Sequence, residues 1–367
     1  MIYIKIVLVS LFVLFLQHAL RIIYLLGLHV TVRSHAPGPC KLVPGVEHGS
    51  EDMETLPDGR TFITSGFLWG LSSSHMKSLY VDQGRKGKVL LFDFKTPEKG
   101  VTELELDPEF DSSDFRPHGI SVIQNEDTGK ITLFIVNHPN GRDTVEKFEF
   151  EPETLSLRHL KTFADENMRV INDVAATSEN SFYVTNFGYS TTKFGATLET
   201  VLLLPWGNVL YYDGSSYRVV VDALVMANGI KLSLDKRSVY LAHGIFQMLN
   251  VYQRDDNDEL NISQELPLYA YPDNILVDMK TGNLLIGSHP VPYQVTMYLD
   301  APDRGVSPSQ VLYIHMKNSS FAEGITELYS NEGLQISASS VASLYDNKML
   351  VGTVCDKLLY CEVKTLE

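Results

Sequence analysis

Residues 118–139 read HGISVIQNEDTGKITLFIVNHP, two runs of apolar residues joined by a polar turn that contains a glycine. This pattern is typical of two antiparallel strands in a hairpin. The same plan of a polar residue, an apolar strand, a turn and a second strand recurs at 51–66, 172–188, 228–244, 273–290 and 338–355. The units start about 45 to 70 residues apart, which is close to the period of four-stranded propeller blades.

Six such units within about 330 residues predict an all-β fold, a six-bladed β-propeller. Closure of the ring removes the open sheet edges that a linear array would expose. A β-sandwich with a coincidental spacing of turns is the alternative, and it is disfavoured because the units agree in residue type as well as spacing. Beyond residue 40 we find no helical periodicity of any length. We therefore divide the chain into an anchor segment, 1–35, and a propeller, 36–367.

The N-terminal segment is strongly apolar, with IVLVSLFVLFL at 6–16 and IIYLLGL at 22–28. Together these runs are long enough to cross a hydrocarbon layer of ~30 Å. No small-residue cleavage site follows them, so an uncleaved signal-anchor helix is favoured over a removed signal peptide. Orientation stays open, because Lys5 on one side faces Arg33 and Lys41 on the other.

Charge and cysteine content narrow the class of protein. A formal net charge of −15 argues against a nucleic-acid partner. Cys40 and Cys361 lie near the two ends of the propeller, where a bond between them would latch the ring and leave Cys355 unpaired. Asn261 and Asn318 begin glycosylation sequons. These features predict a lumenal or extracellular propeller, in the endoplasmic reticulum, at the cell surface or secreted.

The polar residues that start the units carry the functional prediction. Equivalent positions of successive blades converge on the central channel of a propeller, and here they are Glu51, His118, Asn172, Asn228 and Asp273–Asn274. Carboxylate and amide oxygens in this number favour calcium, whereas zinc would call for more His and Cys. Taken singly, each could be a turn residue. The acidic stretch 255–259 does not lie at the equivalent position of a repeat unit and is interpreted as an exposed loop tip.

Several segments resemble those of the paraoxonases, in the same order. They are CKLVPGVEHGSEDMETLPDG at 40–59, FDSSDFRPHGIS at 110–121, INDVAA at 171–176, YPDNILVD at 271–278 and TGNLLIGSHP at 281–290. The resemblance covers 38–365. It implies a six-bladed propeller with two Ca²⁺ ions in its tunnel, one catalytic and one structural.

The resemblance also implies roles for individual residues. The catalytic calcium would be held by Glu51, Asn172, Asn228, Asp273 and Asn274. The structural calcium would be held by Asp52, Asp173 and the main-chain carbonyl of Ile120. His118 and His138 would be the catalytic histidine pair, and Cys40–Cys361 the disulfide. The implied activity is hydrolysis of hydrophobic lactones and aryl esters, in which calcium binds the ester carbonyl while His118 takes a proton from water and His138 tunes it.

Some positions depart from the family pattern. Phe187–Gly188 replaces an Asp-His pair, Leu68 and Trp69 replace a lysine and a tyrosine, Ser288 replaces a cysteine, and Cys355 replaces an aromatic residue. These departures support a second hypothesis. Some paraoxonase-like nematode proteins are membrane-anchored assembly factors for degenerin-type channels, so a non-enzymatic partner of an ion-channel subunit is the alternative. The apolar stretch 197–206 would contact a membrane or that subunit, or else be a packed helix.

Overall fold

The computed structural model describes residues 2–364 and contains six sheets arranged as blades around a central channel. The all-β, six-bladed prediction is therefore confirmed. Each repeat unit forms the two inner strands of one blade. The blades are numbered 1 to 6 in chain order, and their strands are antiparallel except for one short edge pairing.

Blades 1 to 3 follow one another directly along the chain. Blade 1 comprises β2 to β5, which are Met53–Thr55, Arg60–Ser65, Lys88–Asp93 and Val101–Glu103. Blade 2 comprises β7 to β10, Pro117–Gln124, Ile131–Asn137, Thr144–Glu151 and Ser156–Phe163, with the short strand β6, Glu105–Leu106, added in parallel at its outer edge. Blade 3 comprises β11 to β14, Val170–Ser178, Ser181–Gly188, Gly207–Tyr212 and Tyr217–Leu224.

Blades 4 to 6 complete the ring. Blade 4 comprises β15 to β18, Ala227–Leu232, Ser238–His243, Met248–Arg254 and Leu260–Pro267. Blade 5 comprises β19 to β22, Tyr271–Val277, Leu284–His289, Ser309–Asn318 and Phe321–Asn331. Blade 6 comprises β23 to β25, Ser339–Tyr345, Lys348–Thr353 and Leu359–Glu362, and takes its outermost strand, β1 (Cys40–Leu42), from the start of the propeller.

Blade 6 joins the two ends of the propeller. In β1 and β25, Cys40 lies opposite Cys361, and the two are disulfide-bonded. Opening this blade would expose the inner strands of its neighbours, so the bond stabilises the whole ring. The predicted disulfide is confirmed.

The core consists of apolar layers between neighbouring blades. Phe62 of blade 1 packs with Phe150 of blade 2, their ring centroids 5.1 Å apart. Phe134 of blade 2 packs on Phe182 of blade 3, with their ring centroids 5.7 Å apart. Because every blade has a neighbour on both sides, these apolar layers hold the inner strands at fixed distances around the channel.

Three short helices connect strands at the ends of blades. They are α2 (Ser74–Asp82), α3 (Lys193–Leu202) and α4 (Pro292–Asp300), and 3₁₀ turns lie at Pro97–Lys99 and Ser112–Asp114. Ser73 and Thr192 cap the first two, accepting from backbone N–H groups of Met76 and Gly195. The sequence did not predict α2 and α4, because a run of two to three turns carries little periodicity. For α3 it offered a helix at 197–206 as one alternative, and the helix forms at 193–202.

The N-terminal helix α1, Ile2–Leu25, is long and apolar enough to cross a membrane, a property that signal sequences share. Most of its side chains are exposed, but its last residue, Leu25, is buried against Val225 and Ile245. The Leu25 carbonyl accepts from Gln247 Nε2 at 3.0 Å. Its C-terminal end is thus docked on the propeller beside the channel.

Two other sequence features lie at the periphery. The acidic stretch 255–259 is the turn between β17 and β18, where Asp255 accepts from the N–H groups of Asn257 and Glu259. Asn261 and Asn318, which begin the sequons, are both exposed on strands.

Candidate active site and metal centre

A repeated irregularity in the innermost strands delivers polar side chains to the channel. In blades 2 to 5 the pairing of the first two strands shifts register, between Pro117 and Ile120 in blade 2 and between Ala227 and Ile230 in blade 4. The same shift occurs at Ile171/Val174 and Pro272/Ile275. A bulge redirects the side chains of the unpaired residues. The unpaired residues include His118, Asn172, Asp173, Asn228, Asp273 and Asn274.

These residues are buried together with Glu51 and Asp52, which precede β2. Asn274 Nδ2 donates to Glu51 Oε1 at 3.1 Å, linking blades 5 and 1 across the channel. Four side-chain oxygens at this level are buried with no hydrogen-bond partner among the described residues: Glu51 Oε2, Asn172 Oδ1, Asn228 Oδ1 and Asn274 Oδ1. Buried acceptors without donors are costly, and a cation would satisfy all four.

The residue types fit a hard cation. Among residues 2–364, no group of three or more His, Cys, Asp or Glu side chains is placed to hold a metal ion, so an ion here depends on amide oxygens. Amide, carboxylate and carbonyl oxygens in flexible geometry are the ligands that calcium takes. The residues present therefore fit calcium rather than zinc.

Asp52 and Asp173 have matching surroundings. Asp52 accepts from the backbone N–H of Ile120 at 2.8 Å, and Asp173 accepts from that of Ile230 at 2.7 Å. Each carboxylate also accepts from the N–H of the residue that follows it. Blades 1 and 2 thus repeat the contact that blades 3 and 4 make. The backbone of Ile120 is therefore next to Asp52, which is where the carbonyl-ligand role implied by the resemblance requires it to be.

Glycine allows the blades to approach this closely. A Cβ on Gly119 would lie 2.3 Å from Asp173 Oδ1, and a Cβ on Gly229 would lie 2.4 Å from the Asp273 carbonyl oxygen. Both glycines follow a polar residue of the ring, in the sequences HGI and NGI. Any larger residue would push the neighbouring inner strand away.

The carboxylates are held at high electrostatic cost when no cation is bound. Burial, together with the charge of Asp273, raises the pKa of Glu51 well above its usual range. Burial and the charge of Glu51 raise the pKa of Asp52 to about 7. Burial and Asp52 likewise raise the pKa of Asp173. A divalent cation would relieve this repulsion.

The histidines form a chain beside this cluster. His118 Nδ1 lies 2.9 Å from His138 Nε2, and His118 Nε2 lies 3.4 Å from Glu51 Oε1. His138 Nδ1 lies 2.9 Å from Asp143 Oδ1, although the angle is poor for a hydrogen bond. The carboxylate favours a proton on His138 Nδ1, which makes His138 Nε2 the acceptor and His118 Nδ1 the donor. The Nε2 lone pair of His118 then faces the cluster.

Both histidines are buried, and burial lowers the pKa of His118 to about 4. Burial also lowers the pKa of His138, against the opposing charge of Asp143. Both rings are therefore neutral at physiological pH. A neutral imidazole with a free lone pair is equipped to accept a proton.

Two further residues join the site that the sequence analysis did not single out. His289 Nε2 lies 3.0 Å from Asp273 Oδ2 and fixes that carboxylate. Asp143 orients His138. His289 could have been found, because VNHP and GSHP place His138 and His289 at the same phase, the end of the second strand of a blade. Asp143 could not have been found in this way, because it lies in the loop between β8 and β9, outside the repeated sequence pattern.

A cavity of about 350 Å³ leads from this cluster to the surface. Its wall is mostly apolar and includes Phe67, whose ring centroid is 4.2 Å from that of His118. Of the residues that depart from the family pattern, Trp69, Phe187 and Cys355 line this cavity. Ser288 is fully buried and donates to Gln310 Oε1 at 2.9 Å instead. Helices α3 and α4 and Leu26, which follows α1, form the mouth.

Comparison with known proteins identifies the family to which the chain is similar. The arylesterase family model matches residues 31–363. Mouse serum paraoxonase/arylesterase 1 is 40% identical over 325 residues, covering 88% of both chains. Rat serum paraoxonase/lactonase 3 is 36% identical over 332 residues, covering 90% of this chain and 91% of its own.

A solved structure supports the fold alone. A luciferin-regenerating enzyme superposes with a TM-score of 0.50 at 11% identity, covering 88% of this chain and 94% of its own. At that identity the match reflects the propeller architecture and carries no information about chemistry.

Proposed function

The chain belongs to the arylesterase family, and on that premise we propose that it is a calcium-dependent hydrolase of hydrophobic lactones and aryl esters. One observation carries the proposal. Four buried oxygens, from Glu51, Asn172, Asn228 and Asn274, have no hydrogen-bond partner among residues 2–364 and lie in the same cluster as a neutral histidine pair. An ion site and a base are thereby side by side at the inner end of an apolar cavity.

Two ions are proposed. Glu51, Asn172, Asn228, Asp273 and Asn274 would hold the catalytic one, and Asp52, Asp173 and the carbonyl of Ile120 the structural one. When bound, calcium supplies a Lewis acid that polarises an ester carbonyl and stabilises negative charge on its oxygen. The buried ligands exclude water from all but the cavity side of this site.

The protein's own side chains provide the proton transfer. His118 Nε2 accepts a proton from water, and the Nδ1 hydrogen bond to His138 spreads the resulting charge. Asp143 then stabilises the protonated pair through its contact with His138. Phe67, packed against the His118 ring, restricts it to this orientation.

The cavity wall selects the substrate class. Apolar side chains from Phe67, Trp69 and Phe187 face its interior, and α3 and α4 close its rim. Such a surface stabilises apolar acyl or aryl groups. Aromatic residues at 69 and 187 narrow the space beside His118, since the Trp69 and Phe187 rings lie 5.0 Å apart. We expect short or flat esters to be preferred over bulky ones.

The test is a panel of lactones and aryl esters, assayed with calcium and with a chelator. Turnover should require calcium and fall at least about a hundredfold in His118→Gln, as expected for a lost general base. His315→Gln, on an outer strand, is the matched control and should keep full activity. A calcium-loaded protein inert toward the whole panel would exclude the hydrolase.

The proposed location is a membrane surface facing the lumen or the exterior. α1 would span the bilayer, and its docked end would place the cavity mouth near that surface. The Cys40–Cys361 disulfide and the exposed Asn261 and Asn318 are compatible with such a compartment. Glycosidase digestion with a mobility shift, lost in Asn261→Gln and Asn318→Gln, would test this placement.

A second candidate function rests on α3. Phe194 is 76% exposed and Trp206 50%, and Leu198, Val201 and Leu202 are exposed beside them. This exposed apolar surface, formed by α3 and by Trp206 after it, suits contact with a membrane or a membrane-protein partner such as an ion-channel subunit. Channel association that survives His118→Gln but not deletion of α1 would support an assembly role. Unchanged channel levels after removal of the protein would exclude it.

A further inference from the structure

A second cavity, of about 650 Å³, shares Trp69 and Leu71 with the catalytic cavity. It lies between α2 and the loops that precede the inner strands of blades 2 and 3. Its volume is within the range of small-molecule sites, about 300 to 1,000 Å³. Neither the sequence repeat nor the proposed hydrolysis accounts for it.

The charge of its lining is unusual for this chain. Acidic residues outnumber basic ones by 45 to 30 in the sequence as a whole. The cavity reverses this ratio, because within the described part of the chain its only acidic lining residue is Asp143, which faces His138. Its basic lining residues are Lys77, Arg85, Lys86, Arg116 and Arg169.

Most of these cations lack a counter-ion. Among the described residues, only Arg116 pairs with a carboxylate, that of Asp114 at 2.9 Å. Lys77 and Arg85 donate to neutral oxygens, of Gly70 and Gln83. Cations gathered without carboxylates repel one another, and an anion between them would offset that repulsion.

Arg169 gives the most direct indication. Its Nε is buried and has no hydrogen-bond partner among residues 2–364. Its guanidinium lies 4.4 Å from the centre of the Tyr189 ring, and this contact fixes the plane of the guanidinium group. A guanidinium held in one plane with donors to spare is suited to a carboxylate or another oxyanion.

The remaining wall is apolar. Trp69, Tyr80 and Phe115 line it. At about 30 Å³ per water molecule the cavity would hold about twenty waters, far more than a simple inorganic anion displaces. The lining therefore matches a ligand with a charged end and an apolar body.

We propose that this cavity is a binding site for a small organic anion, a carboxylate with an apolar or aromatic body, distinct from the catalytic cavity. The inference goes beyond the proposed hydrolysis and does not depend on it. Ester hydrolysis releases carboxylates, so the reaction products belong to the same chemical class.

The experiment uses the calcium-loaded protein and octanoate, with octanamide as the uncharged isostere. The sequence has two tryptophans. Trp206→Phe therefore leaves Trp69, in the cavity wall, as the only indole reporter. Titration calorimetry and Trp69 fluorescence should both give saturable octanoate binding and none with octanamide. Raising the salt concentration should weaken it.

Arg169→Gln and Lys86→Gln should each weaken octanoate binding about tenfold or more, the effect of one charge-assisted hydrogen bond. Lys280→Gln, at an exposed lysine outside the cavity, is the matched control and should bind as the parent does. Thermal unfolding of each variant verifies that it is folded. No saturable binding, equal binding of octanamide, or binding unaffected by both cavity variants, as expected for a carboxylate on the calcium site, would overturn the proposal.

Discussion

The substitution Gly119→Ala tests the close contact between blades 2 and 3 on which the metal centre depends. The added Cβ would lie 2.3 Å from Asp173 Oδ1 and 2.6 Å from Asp173 Cα. Rotation of the Asp173 side chain relieves the first contact but not the second. The two inner strands must therefore separate by about 1 Å, which is overpacking of a kind that costs about 3 kcal/mol.

The expected shift in melting temperature follows from the size of the protein. At about 2.1 cal/mol/K per residue, the unfolding entropy of a propeller of about 330 residues is about 0.7 kcal/mol/K. A loss of about 3 kcal/mol then lowers the melting temperature by about 4 °C. Calcium affinity should fall as well, because rotation of the Asp173 side chain away from the added Cβ displaces its carboxylate from the N–H of Ile230.

The assay is calorimetric unfolding with and without calcium, together with a calcium titration. Gly305→Ala is the matched control, since no atom lies within 4 Å of a Cβ built there. Gly229→Ala should behave like Gly119→Ala, because its Cβ would lie 2.7 Å from Asn274 Cα. If Gly119→Ala melts at the same temperature as Gly305→Ala and binds calcium equally, the close-approach argument is wrong.

Three other predictions concern the latch, the buried carboxylates and the free thiol. Replacing Cys40 and Cys361 by serine should lower the free energy of unfolding by roughly 2 to 5 kcal/mol in denaturant titrations. An unchanged denaturant concentration at the midpoint of unfolding would contradict the stabilising role of the disulfide. The pKa of Asp52, raised from 3.8 to about 7 by burial, means that the metal-free fold holds a proton that the unfolded chain releases. The lowered pKa values of His118 and His138 act in the opposite direction over part of this interval, so the comparison is with Asp52→Asn, which keeps both histidines. The melting temperature of the metal-free parent should fall relative to that of Asp52→Asn as pH rises from about 4 to about 7, and calcium should stabilise the parent most at the upper end. A difference that instead shifts in the parent's favour as pH rises would refute the assignment. Burial raises the pKa of Cys355 to about 12, so iodoacetamide should label it only after unfolding, as read by mass spectrometry.

Much of the fold was predictable because the propeller repeats its own pattern. A polar residue begins five of the six repeat units, and these residues, Glu51, His118, Asn172, Asn228 and Asp273, are all buried at the channel. The shared position of these residues in the repeat predicted that their side chains meet. The β-bulges that turn the side chains toward the channel could not be predicted from the sequence. The latch was also predictable, since a closed ring brings Cys40 and Cys361 together.

What the repeat does not encode was missed. The strand Glu105–Leu106 pairs in parallel at the edge of blade 2 and has no counterpart in other blades. Helix α3 coincides in part with the apolar stretch 197–206, but its apolar residues are exposed rather than packed. Asp143 reaches His138 from a loop whose course depends on tertiary packing. The cations of the second cavity come from α2 and the segment after it and from the loops before β7 and β11, so their proximity exists only in the folded chain.

The most direct test of the central claim is lactone hydrolysis measured against free calcium concentration, for the parent protein and for His118→Gln. We predict that parent turnover rises from zero in chelator to a plateau. In His118→Gln, turnover should be lost while calcium still raises the melting temperature, because the ion's ligands are intact. Turnover that is independent of calcium, or that His118→Gln leaves unchanged, would contradict the account.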